Sequence, residues 1–98
     1  MPITEKQKRQ LKKIAHHLKP VVMVGQHGLS ENIHTEIGIA LDHHELIKVR
    51  VNAADREERK ELIGEILVRS KAELVLTVGH VAVLFRRNPD QPKISLSA

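Results

Sequence analysis

The chain has 98 residues, with 16 Lys and Arg against 12 Asp and Glu for a net charge of +4, and 41% apolar side chains, the balance of one globular domain rather than a disordered chain. The absence of Cys removes disulfide frameworks, thiolate metal sites and thiol catalysis; no apolar run approaches the ~20 residues of a membrane span and the first ten residues are too polar for a signal peptide, so the cytoplasm is the expected compartment. With Phe85 as its single aromatic, the chain cannot build the platforms on which RRM, OB and cold-shock domains stack bases, so any nucleic acid would have to be gripped by backbone and shape.

Thr4 followed three residues later by Gln7 predicts a capping box. Leu11, Ile14, Ala15 and Leu18 then recur with helical spacing, and Pro20 is expected to stop this first helix at Lys19. Residues 21–24 form a short β-branched run, expected as a buried strand ended by Gly25. Gln26, His27 and Gly28 make a tight loop, and Ser30 caps a second helix whose core side carries Ile33, Ile37, Ala40, Leu41 and His44. From Leu46 to Asn52 the chain alternates, with Ile47, Val49 and Val51 inward and Lys48, Arg50 and Asn52 outward. Asp55 opens a third helix bearing Leu62, Ile63, Ile66 and Leu67, and two strands at 74–78 and 81–85 flank a Gly79-His80 hairpin turn. The Pro-containing stretch from Asn88 breaks regular structure, which leaves residues 1–87 as one domain and 88–98 as a mobile tail. The order α-β-α-β-α-β-β predicts an α/β two-layer sandwich, its mixed four-stranded sheet combining parallel strand–helix–strand units with a terminal hairpin.

The positive charge is unevenly placed. Residues 1–20 hold six bases against Glu5 alone, whereas residues 21–45 hold four acids and no Lys or Arg. Solvated helix faces usually mix signs, so the one-sign face with Arg9, Lys12 and Lys13 fits a polyanionic ligand better than mere solubility. An interfacial membrane helix is the weaker reading, because the apolar stripe has no Trp or Phe. Gly25 and Gly28 bracket a loop between a strand and a helix N-terminus, where backbone N–H groups and the helix dipole favour anions. On spacing alone an ordinary turn is the better reading, and the loop is neither a Rossmann fingerprint nor a nucleoside-triphosphate loop; the basic helix before it and the lack of aromatics shift the balance towards an anion site. His27 reads as a phosphate donor or an exposed turn residue. The adjacent pairs His16-His17 and His43-His44 point about 100° apart on a helix and do not chelate, so no metal site is expected. Arg86 and Arg87 are either a solubilising strand end or cations near the open sheet face that carries Lys48 and Arg50.

Three segments carry a resemblance. Leu-Lys-Pro-Val-Val-Met-Val-Gly-Gln-His-Gly-Leu-Ser (18–30), Ala-Leu-Asp-His-His-Glu-Leu-Ile-Lys-Val-Arg (40–50) and Gly-His-Val-Ala-Val-Leu-Phe-Arg-Arg (79–87) resemble, in that order, the recurring blocks of the CRM domain, named for chloroplast RNA splicing and ribosome maturation. The likeness spans about residues 4–87, and a stand-alone domain resembles the bacterial YhbY-like branch. It implies a fold like that of the C-terminal domain of translation initiation factor 3, and an RNA-binding role with precursors of the large ribosomal subunit. It also implies that Gly25, Gln26, His27 and Gly28 contact RNA. Family loops often carry Lys where this chain has Gln26, so the charge has to come from the first helix. The expectation is a monomeric, cofactor-free, non-enzymatic RNA-binding protein that assists ribosome assembly through this loop, with Arg9, Lys12, Lys13, Lys48, Arg50, Arg86 and Arg87 as supporting cations. Two rivals stand beside it: a small phosphoesterase using His27 as acid or base, which lacks an evident partner carboxylate, and an adaptor whose first helix docks an acidic protein.

Overall fold

In the computed structural model, which describes residues 2–25 and 27–96, the first helix begins as the capping residues dictate. The Thr4 hydroxyl accepts the Gln7 N–H at 3.1 Å and the Gln7 side chain accepts the Thr4 N–H at 3.0 Å, opening α1 (Glu5–Ala15). The helix ends earlier than expected, at Ala15 rather than Lys19. Leu18 donates its N–H to the Ala15 carbonyl at 2.9 Å in a tight turn that redirects the chain to the sheet edge, and Lys48 Nζ donates to the freed Leu18 carbonyl at 2.9 Å. The remaining elements are β1 (Pro20–Val24), α2 (Glu31–His44), β2 (Leu46–Val51), α3 (Arg56–Ser70), β3 (Glu73–Val78) and β4 (Val81–Phe85). Ser30 accepts the Ile33 N–H at 3.2 Å and Asp55 accepts the Glu58 N–H at 2.8 Å, the two later caps expected from the sequence.

The sheet is mixed and four-stranded, in the order β1-β2-β4-β3: β1 and β2 run parallel, and β4 inserts between β2 and β3, antiparallel to both. Alternation along β2 and β4 divides the core in two. Ile47, Val49, Val51, Ala82 and Leu84 pack with Ile37, Leu41, Ile63 and Ile66 of α2 and α3. Leu46, Val83 and Phe85 point the other way and pack with Leu11 and Ala15 of α1. The expected sandwich thus holds for the sheet with α2 and α3, while α1 lies across the opposite face as a partial third layer. A bulge between Leu74 and Leu76 breaks the alternation of β3, so that Val75 and Leu76 both join the α1 side.

Three expectations are corrected here. β1 is an edge strand buried on one face only: Val22 and Val24 meet the core, but Val21 is 53% and Met23 58% exposed, because α1 does not reach across them. His44 is exposed rather than core-facing. Residues 88–96 of the tail lie against the domain. Glu45, fully buried, accepts backbone N–H groups of Asn88, Lys93 and Ile94 at 2.6, 2.7 and 2.9 Å, and Ile94 and Leu96 pack on the α1-side core.

Candidate nucleic-acid interface

The parallel strands β1 and β2 end side by side, where Asn52 donates its N–H to the Val24 carbonyl at 3.0 Å, and the loop that follows Val24 leads into the N-terminus of α2. The crevice beyond the carboxyl ends of parallel strands is the usual ligand position in open α/β sheets. Gly28 closes the turn by donating its N–H to the Gly25 carbonyl at 3.0 Å, with φ +71°. That conformation costs a residue with a Cβ roughly 1–2 kcal/mol. Replacing Gly28 by Ala is therefore expected to lower the melting temperature by about 5–10 °C, read by a thermal melt. Gly25 differs in that its φ is not positive; a Cβ built on it, as on Gly28, meets no protein atom within 4 Å. The fold itself leaves the space over Gly25 open. His27 is exposed beside it, and Gln26 lies outside the described residues.

From this loop a line of cations runs down the α1 face of the sheet. Cross-strand pairing places Met23, Arg50, Val81 and Val78 in one row, and Lys48, Val83 and Leu76 in the next. Arg50 is exposed and its Nε donates to Asn52 Oδ1 at 3.4 Å, towards the end of β2 beside Gly25. Lys48, half-buried, is held by its bond to the Leu18 carbonyl. Below it, Lys12 and His16 of α1 line a cleft against the sheet. Arg9 and Lys13 are exposed about 60° and 100° further round the helix from Lys12, on its solvent side. Strand cations Lys48 and Arg50 and helix cations of α1 thus share one face of the sheet, with the 25–28 loop at its end.

Arg86 and Arg87 do not belong to it. They follow Phe85, which pairs with Leu46, so they sit at the end of the sheet opposite the 25–28 loop. The Arg86 guanidinium donates to the carbonyls of Ser70 and Gly38 at 2.7 and 3.1 Å and to Asp42 Oδ1 at 2.7 Å, clamping α2 and α3 to the strand end. Arg87 lies over the Phe85 ring, 5.5 Å from its centroid, and donates to the Ile94 carbonyl at 2.9 Å. Both guanidinium groups have internal partners, and the Arg87 side chain remains partly exposed. The structure adds residues the sequence reading did not single out: His80, whose carbonyl accepts the Val51 N–H at 2.7 Å, and Arg59, whose Nη2 lies 2.9 Å from the His80 ring. The run Arg56, Arg59, Lys60 at the start of α3 was visible as charge, but its place beside the hairpin turn depends on strand order. Among the described residues no cluster of three or more His, Asp or Glu side chains is arranged to hold a metal ion, and no helix is long and apolar enough to cross a membrane.

Comparison with known proteins agrees with this architecture. The chain is 50% identical over 94 residues, 96% of its length and 94% of the relative's, to a Haemophilus influenzae protein named RNA-binding protein. It is 43% identical over 97 residues, 99% of its length and 92% of the relative's, to the probable RNA-binding protein PA4753 of Pseudomonas aeruginosa. The solution structure of the hypothetical protein SAV1595 from Staphylococcus aureus superposes with a TM-score of 0.83 at 33% identity, covering 98% of this chain and 100% of that one. The model of the CRS1/YhbY (CRM) domain matches residues 3–86. With nearly its whole length matched by that model and by relatives of similar size, the chain belongs to the CRS1/YhbY (CRM) domain family.

Proposed function

We propose that this protein, a cytoplasmic monomer without catalytic activity, binds structured precursor RNA of the large ribosomal subunit and assists its assembly. The 25–28 loop takes phosphate through its backbone and His27, while Arg50, Lys48 and Lys12 continue the contact down the sheet, with Arg9 and Lys13 of α1 adding to the attraction. The observation that carries this reading is the run of cations Lys12, Lys48 and Arg50 along one face of the sheet, ending at the strand end beside Gly25. A glycine free of steric demand from its own chain suits close approach of another backbone. The names of the relatives support RNA as the ligand class.

Such a contact depends on counterion release. If about six phosphates are neutralised, log affinity plotted against log salt falls with a slope of about −4 on single-stranded and about −5 on duplex-like RNA. Lys12→Ala with Lys13→Ala flattens that slope by roughly one to two units. An unchanged slope in the double variant removes α1 from the interface. The ribosomal assignment is read separately, by sedimentation of cell extract: the protein travels with precursor particles of the large subunit, with the RNA recovered intact. An even spread over mature subunits and free protein overturns it.

A further inference from the structure

The α1 face of the sheet is only half covered. Among the described residues, three of the six exposed large apolar side chains, Val21, Met23 and Val78, lie on that open half, with Val78 63% exposed. Met23 and Val78 share a cross-strand row with Arg50, and Val21 lies at the register shift of β1 between Pro20, which pairs with Lys48, and Val22. Between this apolar surface and the C-terminal half of α1 lies a cleft of about 260 Å³, floored by Pro20, Leu76, Val78 and Val81 and rimmed by Lys12 and His16. No carboxylate lines it. Drug-sized ligands occupy roughly 300–1,000 Å³, so this volume suits one flat group rather than an extended molecule.

We propose that the cleft receives an unpaired base of the bound RNA, its face on Val78 and Val81, with the flanking phosphates on Lys12 and His16. The inference rests on the RNA-binding reading and deepens it, from shape-based grip to a preference for RNA with an extruded nucleotide. Two observations select this occupant over an apolar protein segment. The cleft has Lys12 on its helix side and Lys48 on its sheet side, and Arg50 follows Lys48 on the same face of β2, so the cleft lies along the path of a polyanion. The floor is aliphatic, with Pro20 and Val78 exposed and Leu76 and Val81 half-buried, and a base has an apolar face with charge on either side of it. Bases taken out of a helix are held between apolar as well as aromatic side chains, so the lack of Trp and Tyr does not forbid the contact.

The test compares two labelled hairpin RNAs of equal length, one fully paired and one with a single bulged 2-aminopurine, whose emission is read against a protein that has neither Trp nor Tyr. The wild-type chain is expected to favour the bulged hairpin by roughly tenfold, the low end of what one stacked base contributes, with a change in 2-aminopurine emission on binding. Val78→Thr keeps the β-branched shape at an exposed position and adds no charge; it should remove most of that preference and the emission change while the salt slope stays the same. Val81→Thr gives a second, independent reading from the cleft floor, and thermal melts establish that both variants are folded. Equal affinity of the wild type for the two hairpins, or a preference that survives in both folded variants, overturns the base-binding inference and leaves RNA binding standing. No binding to either hairpin at low salt overturns RNA binding itself, and this inference with it.

Discussion

A chain carrying Gln26→Asp and His27→Asp is expected to keep the melting temperature of the wild type and to bind RNA about a hundredfold more weakly. The turn is closed by the backbone bond from the Gly28 N–H to the Gly25 carbonyl, and His27 is exposed, so its side chain supports no core packing. Surface substitutions of this kind usually change stability by less than about 0.5 kcal/mol. Carboxylates before a helix N-terminus are even mildly favourable in the free protein, and Ser30 keeps its bond to the Ile33 N–H. Towards a phosphate the same carboxylates turn an attractive end of the molecule into a repulsive one, a penalty on the order of several kcal/mol, and each ~1.4 kcal/mol is a factor of ten in affinity. Fluorescence anisotropy with a labelled RNA at one salt concentration, beside a thermal melt, reads both halves of the expectation. Wild-type affinity in a variant with wild-type stability would reduce the 25–28 loop to a turn and leave the function to α1 and the sheet.

The contrast with Arg86 illustrates which parts of this protein are legible in its sequence. Helix starts are local: Thr4, Ser30 and Asp55 each cap a helix with bonds that span three residues, so the residues that make the cap announce it. The alternation of β2 is local too, and it correctly put Lys48 and Arg50 on a face apart from Ile47, Val49 and Val51. Strand order is not local. Nothing within 73–85 states that β4 inserts beside β2, and that insertion sends Arg50 to the loop end and Arg86 to the far end. The amphipathic stripe of α1 says which side of the helix is buried but not which face of the sheet receives it. For the same reason Val-Val-Met-Val reads as a buried strand, when half of it belongs to an open surface. Charge was therefore readable as composition, whereas its partners, internal for Arg86 and absent from the fold for the space over Gly25, appeared only in three dimensions.

Glu45→Ala is expected to cost about 3 kcal/mol, a large share of the stability of a domain this size. In sequence it is an acid after two histidines at a helix end; in the structure it joins α2, β4 and the tail. Its backbone, at φ 62°, donates an N–H to the Leu41 carbonyl and accepts the Arg86 N–H, both at 2.8 Å. Its carboxylate accepts N–H groups from residues 43 to 49 positions later, and Arg87 Nη1 lies 3.6 Å away. Burial alone would raise the Glu45 carboxyl, but the N–H groups of Asn88, Lys93 and Ile94, with Arg87, outweigh it and hold the group below its ordinary value of 4.5. A carboxyl lowered on folding contributes stability above its unfolded value and loses it as pH falls through the folded one. Glu45→Gln therefore separates charge from shape. One amide oxygen can still accept from Lys93 and Ile94, but the amide nitrogen then faces the Asn88 N–H, donor against donor. Denaturation at a series of pH values should show the gap between wild type and Glu45→Gln widest near neutrality and narrowing as pH falls below 4.5, where the unfolded carboxyl protonates, towards the lower value of the folded one. Hydrogen exchange gives the local reading: the Asn88, Lys93 and Ile94 amides are protected in the wild type and exchange freely in Glu45→Ala, as Ile94 and Leu96 leave the α1-side core. If those amides exchange alike in both proteins, the carboxylate does not hold the tail. A gap that stays constant from neutral to acid pH would equally remove ionisation from the account.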